Sequence, residues 1–244
     1  YAKKMKNVTK ENIKSYYDNL YSSLEIEMRP IRVYEKIIEY LNGRKGLKLL
    51  DVSCGTGNLI RCAEERGIEG YGIDISKAAV MLARSKVKNS ERIILADASS
   101  LPYKDGYFDL VTNFASLQYY IDQGKAISEM VRVARKGGRL CIVVPNGNFP
   151  LFYIKPQSGC KIYEGKIEGK VLKFYEWIEL FRKNGLMVKK IYRERGPSLS
   201  SSKSIFQFLR RILLKLSLLL PKKFNYELYF ICEKIENSYF CGEV

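Results

Sequence analysis

Apolar and polar positions follow two alternating periods along this chain of 244 residues. Short apolar runs recur at 47–52 (Leu-Lys-Leu-Leu-Asp-Val), 70–75 (Gly-Tyr-Gly-Ile-Asp-Ile), 92–96, 107–112 and 139–144. Each is nearly unbroken in hydrophobicity, which fits a strand covered on both faces. Between them the spacing shifts to that of helices. Residues 59–66 form one such stretch, stopped by Gly67. A second runs from an N-cap at Ser76 to about Lys88. A third covers 125–134, with Ile127, Met130, Val131 and Ala134 on one face. Lys136-Gly137-Gly138 reads as a turn before the fifth strand. This alternation predicts an α/β fold: a doubly wound, mostly parallel sheet with helices on both faces.

The flanks differ. Residues 11–21 and 30–41 read as two helices laid before the first strand. Beyond Pro145 the pattern loosens, and 146–170, rich in Gly, Lys and Pro, reads as an irregular insertion. A helix over 174–184 ends at Gly185, a strand follows over 186–192, then a Ser-rich linker over 196–204 and a last strand over 226–234. Residues 204–220 set Ser204, Gln207, Arg211 and Lys215 in one polar stripe opposite a broad apolar face. That basic amphipathic helix is too short and too charged to span a bilayer comfortably. It suits three roles: a cover over the sheet or site mouth, an interfacial membrane contact, or a contact with a second subunit.

Composition narrows the chemistry. The chain has no histidine, which excludes a Ser-His-Asp triad, a Cys-His pair and an HExxH zinc site. The six cysteines show no CxxC spacing, and the opening Tyr-Ala-Lys-Lys is unlike an export signal, so the expectation is free, buried thiols in a reducing cytoplasm. The net charge of +16 lies mostly outside residues 49–150, on the flanks, and favours an anionic partner such as nucleic acid, a membrane surface or a phosphorylated substrate.

The most informative run is 49–59, Leu-Leu-Asp-Val-Ser-Cys-Gly-Thr-Gly-Asn-Leu. A strand enters a glycine-rich turn that opens a helix, so a ligand can approach the backbone closely. Asp74 ends the second strand, where a carboxylate can accept both hydroxyls of a ribose. Asp97 ends the third, placed to accept from an exocyclic amine of adenine. The loop lacks the third glycine of the dinucleotide fingerprint, since Asn58, Leu59 and Ile60 follow Gly57. Taken in order, this loop, the Gly-Ile-Asp-Ile-Ser run at 72–76, the Ala-Asp-Ala-Ser-Ser-Leu-Pro-Tyr run from Ala96, and Val-Arg-Val-Ala-Arg-Lys-Gly-Gly from Val131 resemble the class I S-adenosylmethionine-dependent methyltransferases. The likeness covers about residues 47–145. It implies seven strands with the last antiparallel, N-terminal helices and a C-terminal helical insertion. It also implies one domain over 1–244: a helical cap (1–46), a cofactor-binding core (47–145) and a substrate side (146–244).

Residue by residue, the resemblance implies S-adenosylmethionine as methyl donor and S-adenosylhomocysteine as product. Asp51 would touch the methionine amino group. Ser53, Cys54, Gly55 and Gly57 would supply close backbone, with Ser53 standing where the family has its first glycine. Asp74 would bind the ribose and Ile75 pack on adenine. Asp97 and Ala98 would read the adenine edge, and Asn113 and Phe114 border the reacting methyl. Tyr17, on a Tyr-Asp helix like those that cap the donor, and Arg29, toward the methionine carboxylate, complete the set. Many family members place a histidine about where Gln118 or Tyr119 stands, so no general base carries over. Tyr153, Tyr163, Glu164 and Glu168 are the candidates for one in the insertion, and no metal is called for. The expected acceptor is a small or amphipathic compound, a sugar, lipid-linked or phenolic molecule methylated on oxygen. RNA methylation and binding of the donor without catalysis are the alternatives.

Overall fold

The computed structural model describes residues 6–23, 29–149, 161–163, 166–193 and 219–235, with Ile212 and Leu216. Along the chain these form β1 (Lys6–Asn7), α1 (Lys10–Ser22), α2 (Ile31–Tyr40), β2 (Lys48–Val52), α3 (Asn58–Glu65), β3 (Glu69–Asp74), α4 (Lys77–Arg84) and β4 (Ile93–Leu95). Then come β5 (Phe108–Phe114), α5 (Gln123–Val133), β6 (Ala134–Pro145), β7 (Lys161–Tyr163), β8 (Lys166–Glu168), α6 (Phe174–Lys183), β9 (Leu186–Arg193) and β10 (Glu227–Lys234).

Seven strands form one sheet in the order β4-β3-β2-β5-β6-β10-β9. The first five are parallel, and β10 runs antiparallel between β6 and β9. Strand periodicity divides the core cleanly. Leu49, Leu110, Cys141 and Val143 face α2 and α3, where Ile37, Ile38, Leu41 and Leu59 are buried. Their neighbours Leu50, Val111, Leu140 and Ile142 face the opposite layer, with Ile127 and Met130 of α5 and Trp177 and Phe181 of α6. Alternate residues of a strand point to opposite faces, so one apolar run feeds both layers. The Trp177 indole N–H donates to the Pro145 carbonyl at 3.0 Å, which satisfies its one polar atom inside the core. The four described cysteines, Cys54, Cys62, Cys141 and Cys232, are buried and unbridged.

Three elements differ from expectation. The turn at Gly137 lies inside β6: Ala134 pairs with Phe108 and Arg139 with Leu110, so the glycines form an irregularity within one long strand. The helix α4 stops at Arg84 rather than near Lys88: the Ser85, Lys86 and Val87 N–H groups still turn back to Met81 and Ala83, and the chain then leaves the helix. The Lys88 N–H donates to the Glu64 carboxylate at 2.7 Å, and Arg84 donates twice to the Ile93 carbonyl. Finally, the insertion is not wholly irregular, since β7 and β8 form a hairpin that pairs with β1 in a second small sheet. The linker at 196–204 and most of the helix expected over 204–220 fall outside the described residues.

This topology places a crevice. Strand order reverses at β2, which has β3 on one side and β5 on the other. Connections leave in opposite directions there, and a gap opens beyond the carboxyl ends of the strands.

Candidate methyl-donor site

A cavity of about 230 Å³ occupies that crevice. Its wall is built from strand ends: Ser53 after β2, Asp74 ending β3 with Ile75 after it, Ala96 to Ser99 after β4, and Phe114 ending β5 with Ala115 and Ser116 after it. The fourth side is α1. Lys10, Ile13, Tyr17 and Tyr21 line the cavity at i, i+3, i+7 and i+11, a single face of that helix. Asp18, on another face, secures α1 by accepting from the Ser76 hydroxyl at 2.7 Å and the Ala78 N–H at 3.2 Å, near the N-terminus of α4. The Ser76 hydroxyl, then the Ala78 and Lys77 N–H groups, hold the Asp18 carboxyl below its usual range against the opposing effect of burial.

The glycine-rich loop has the backbone that its sequence suggests. Gly55 and Gly57 have φ of 52° and 75°, and Ser53 shares this left-handed conformation at 62°. A Cβ on Gly55 would lie 2.6 Å from the Tyr21 hydroxyl, so the loop and α1 meet where only glycine fits. Gly57 begins α3 and packs on Ala83.

Asp74, 5% exposed, accepts the Gly55 N–H through one oxygen and the Ser76 N–H through the other, each at 2.9 Å. Burial pushes its carboxyl up to about 6, against the pull of the Gly55, Ile75 and Ser76 N–H groups. A carboxylate has about four acceptor positions, so capacity remains for a pair of hydroxyls. Asp51 is 3% exposed and lies behind the wall rather than on it. Its oxygen accepts from the Thr112 hydroxyl at 2.7 Å, while burial and then Asp74 push it up to about 7. Asp97 pairs with Lys10 at 2.5 Å and accepts the Ser99 N–H at 2.8 Å. Those contacts outweigh burial and hold it below the usual carboxylate range.

The structure thus brings Tyr17, Ser53, Asp74, Ile75, Asp97, Ala98 and Phe114 together on one cavity wall. Cys54, Gly55, Gly57 and Asn113 stand behind it, shaping the loop and the end of β5. Arg29 lies off the wall: it pairs with Glu227 of β10 at 3.0 Å, and its guanidinium sits 5.8 Å from the Phe114 ring centroid. The sequence reading missed Lys10, Ser116, Tyr119 and Tyr120, all on the wall. The spacing of Lys10 with Tyr17 and Tyr21 was the available signal. Tyr119 ends and Tyr120 follows a short 3-10 turn (Leu117–Tyr119) whose direction no periodicity announces. Tyr153, Glu164 and the side chains of Tyr163 and Glu168 lie outside the described residues.

These residues fit S-adenosylmethionine. The Cβ-free position at Gly55 gives close backbone approach, Asp74 keeps spare acceptor capacity, and Ile13, Ile75 and Ala98 offer apolar surface for a flat ring. When bound, that group supplies a methyl on a positively charged sulfur.

Comparison with known proteins agrees. Residues 50–142 match the family described as methyltransferase domain. Demethylmenaquinone methyltransferase of Listeria welshimeri is 31% identical over 186 residues, covering 69% of this chain and 76% of that protein. The enzyme of the same name from Lactococcus lactis is 26% identical over 236 residues, covering 82% and 92%. Among solved structures, geranyl diphosphate C-methyltransferase from Streptomyces coelicolor, held with S-adenosylhomocysteine, superposes with a TM-score of 0.69 at 14% identity, over 93% of this chain and 97% of that one. Its likeness is one of fold. Ordered motifs, seven-stranded topology and relatives together establish that the chain is a member of the class I S-adenosylmethionine-dependent methyltransferases.

Proposed function

We propose that this methyltransferase acts on a small, amphipathic, lipid-linked acceptor of the quinone class for which its relatives are named. The observation that carries the reading is the likeness to demethylmenaquinone methyltransferases over most of both chains. The wall supports it: Phe114, Tyr119, Tyr120 and Ile121 make an aromatic and apolar side suited to a flat, hydrophobic ring. Asp74 takes the donor's ribose, Asp97 and Ala98 its adenine edge, and Tyr17 covers it from α1.

The acceptor is reached at a membrane surface from the cytoplasmic side. Leu216, Leu219 and Leu220 are exposed, Leu219 to 83%. The exposed Lys222 and Lys223 follow them, and Arg193 donates to the Leu220 carbonyl at 3.1 Å. Leucines beside lysines suit an anionic interface. Among the described residues, no helix is long and apolar enough to cross a membrane.

The test is transfer of labelled methyl to chemically reduced demethylmenaquinone in detergent, with RNA from the source cell in parallel. Label in the quinone, with Asp74→Ala abolishing it, is the expected result. Nuclear magnetic resonance of the product then fixes whether oxygen or carbon receives the methyl. Label confined to RNA would overturn the proposal.

A further inference from the structure

Two residues other than glycine on the cavity wall have left-handed backbone, Ser53 at φ 62° and Ala115 at φ 53°. A residue with a Cβ adopts this region only at a cost, and such positions cluster at functional sites. The two sit side by side, since they follow the ends of the paired strands β2 and β5, where Val52 lies opposite Asn113.

One side chain ties these ends together. The Tyr120 hydroxyl lies 2.6 Å from the Ser53 hydroxyl and 3.4 Å from that of Ser116. The Asn113 amide nitrogen donates to the same Tyr120 oxygen at 2.7 Å and to the Val52 carbonyl at 2.9 Å. Serine at position 53 therefore brings backbone strain that glycine would avoid, and gains a short contact with a tyrosine on the same wall.

We propose that Tyr120 and Ser53 are a positioning pair: their hydroxyl contact fixes the β2 and β5 loops against each other and sets where the methionine end of the donor rests. This builds on the assignment of the cleft as the donor site. Phenylalanine at 120 keeps the ring, and leaves the Asn113 amide its Val52 and Ser116 partners.

The experiment measures the dissociation constant of S-adenosylhomocysteine by calorimetry for wild type, Tyr120→Phe, Ser53→Ala and the double variant, with ligand-free melting temperatures alongside. Each single change should weaken binding about tenfold, the worth of one well-made hydrogen bond. The double variant should be no weaker than the weaker single, because both changes remove one contact. Ser53→Gly, which relieves the strain, should melt above Ser53→Ala yet bind as weakly, a pattern that a merely structural role would not produce. Wild-type affinity in the single variants, a roughly hundredfold loss in the double, or restored binding in Ser53→Gly would each overturn the pair. If wild type fails to bind S-adenosylhomocysteine, the donor-site assignment falls, and the pair with it.

Discussion

Acidifying the protein through pH 6 should remove the Asp74 charge proposed above to receive the donor's ribose. Asp74 is nearly inaccessible, and each of its oxygens already accepts a backbone N–H at 2.9 Å. Only the ionised form can accept those bonds and two hydroxyls together; the protonated form turns one acceptor position into a donor. With the carboxyl pushed up to about 6 by burial, it is almost fully ionised at pH 7.5 and only about one-tenth ionised at pH 5. Affinity for adenosine should therefore fall about tenfold between those two values. Adenosine is the better probe than S-adenosylhomocysteine, since it carries no ionisable amino-acid end, and Asp51 behind the wall is itself pushed up to about 7. The ligand-free protein should respond in the opposite sense. An acid whose folded pKa lies above its unfolded value of 3.8 binds more protons when folded, so this group adds stability as pH falls from about 7 toward 4. Calorimetry of adenosine binding across pH 5 to 7.5 and urea unfolding over the same range read the two effects. Adenosine affinity that stays flat, or that keeps its pH dependence in Asp74→Asn, would refute this reasoning.

Other elements of the site give shorter tests. Gly55→Ala places a Cβ 2.6 Å from the Tyr21 hydroxyl at a φ of 52°, and should cost about 1–2 kcal/mol in urea unfolding and weaken S-adenosylhomocysteine at least tenfold. Asp18→Ala removes the acceptor of the Ser76 hydroxyl and the Ala78 N–H, so α1 amides should exchange hydrogen faster while the sheet amides stay protected. Lys10→Met leaves Asp97 without its 2.5 Å partner; because Lys10 is half exposed, stability should change by less than about 1 kcal/mol, but the Asp97 carboxyl should titrate higher by nuclear magnetic resonance.

The parallel half of the sheet was legible because burial on both faces leaves unbroken apolar runs, and Leu49 beside Leu50 serves two layers at once. The acids of the site were legible for a related reason: Asp74 closes one such run and Asp97 follows another directly, so their place at the carboxyl edge comes with the strand. What stayed hidden depends on contacts distant in sequence. The pairing of β1 with β7 joins residues more than a hundred positions apart, and neither strand is long enough to show a period. The length of α4 was misjudged because Glu64, on another helix, captures the N–H of Lys88. Arg29 drew attention as a cation near the donor, yet the strand β10 that brings Glu227 to it lies 198 residues on. Tyr120 escaped notice because a tyrosine after a 3-10 turn has no preferred direction until Asn113 and Ser53 fix it.

The want of histidine now acquires a structural meaning. Burial pushes Tyr17 and Tyr21 far above their ordinary value and Tyr120 up to about 12, so these phenols keep their protons at neutral pH. Asp97 is ionised but committed to Lys10, Asp74 accepts the Gly55 and Ser76 N–H groups, and Asp122 accepts the Lys125 N–H at the start of α5. The described wall therefore aligns and encloses rather than removes a proton, which suits a donor whose methyl is already electrophilic and a transfer limited by geometry. Such a wall asks the acceptor to bring its own nucleophile, and a reduced quinone does so through acidic ring hydroxyls and an electron-rich ring. The pH profile of transfer should accordingly follow the acceptor: replacing one naphthalenediol by a more acidic one should move the alkaline rise of kcat/KM downward by the difference in their pKa values. A rise fixed at one pH for every acceptor would instead reveal a proton-accepting group of the protein.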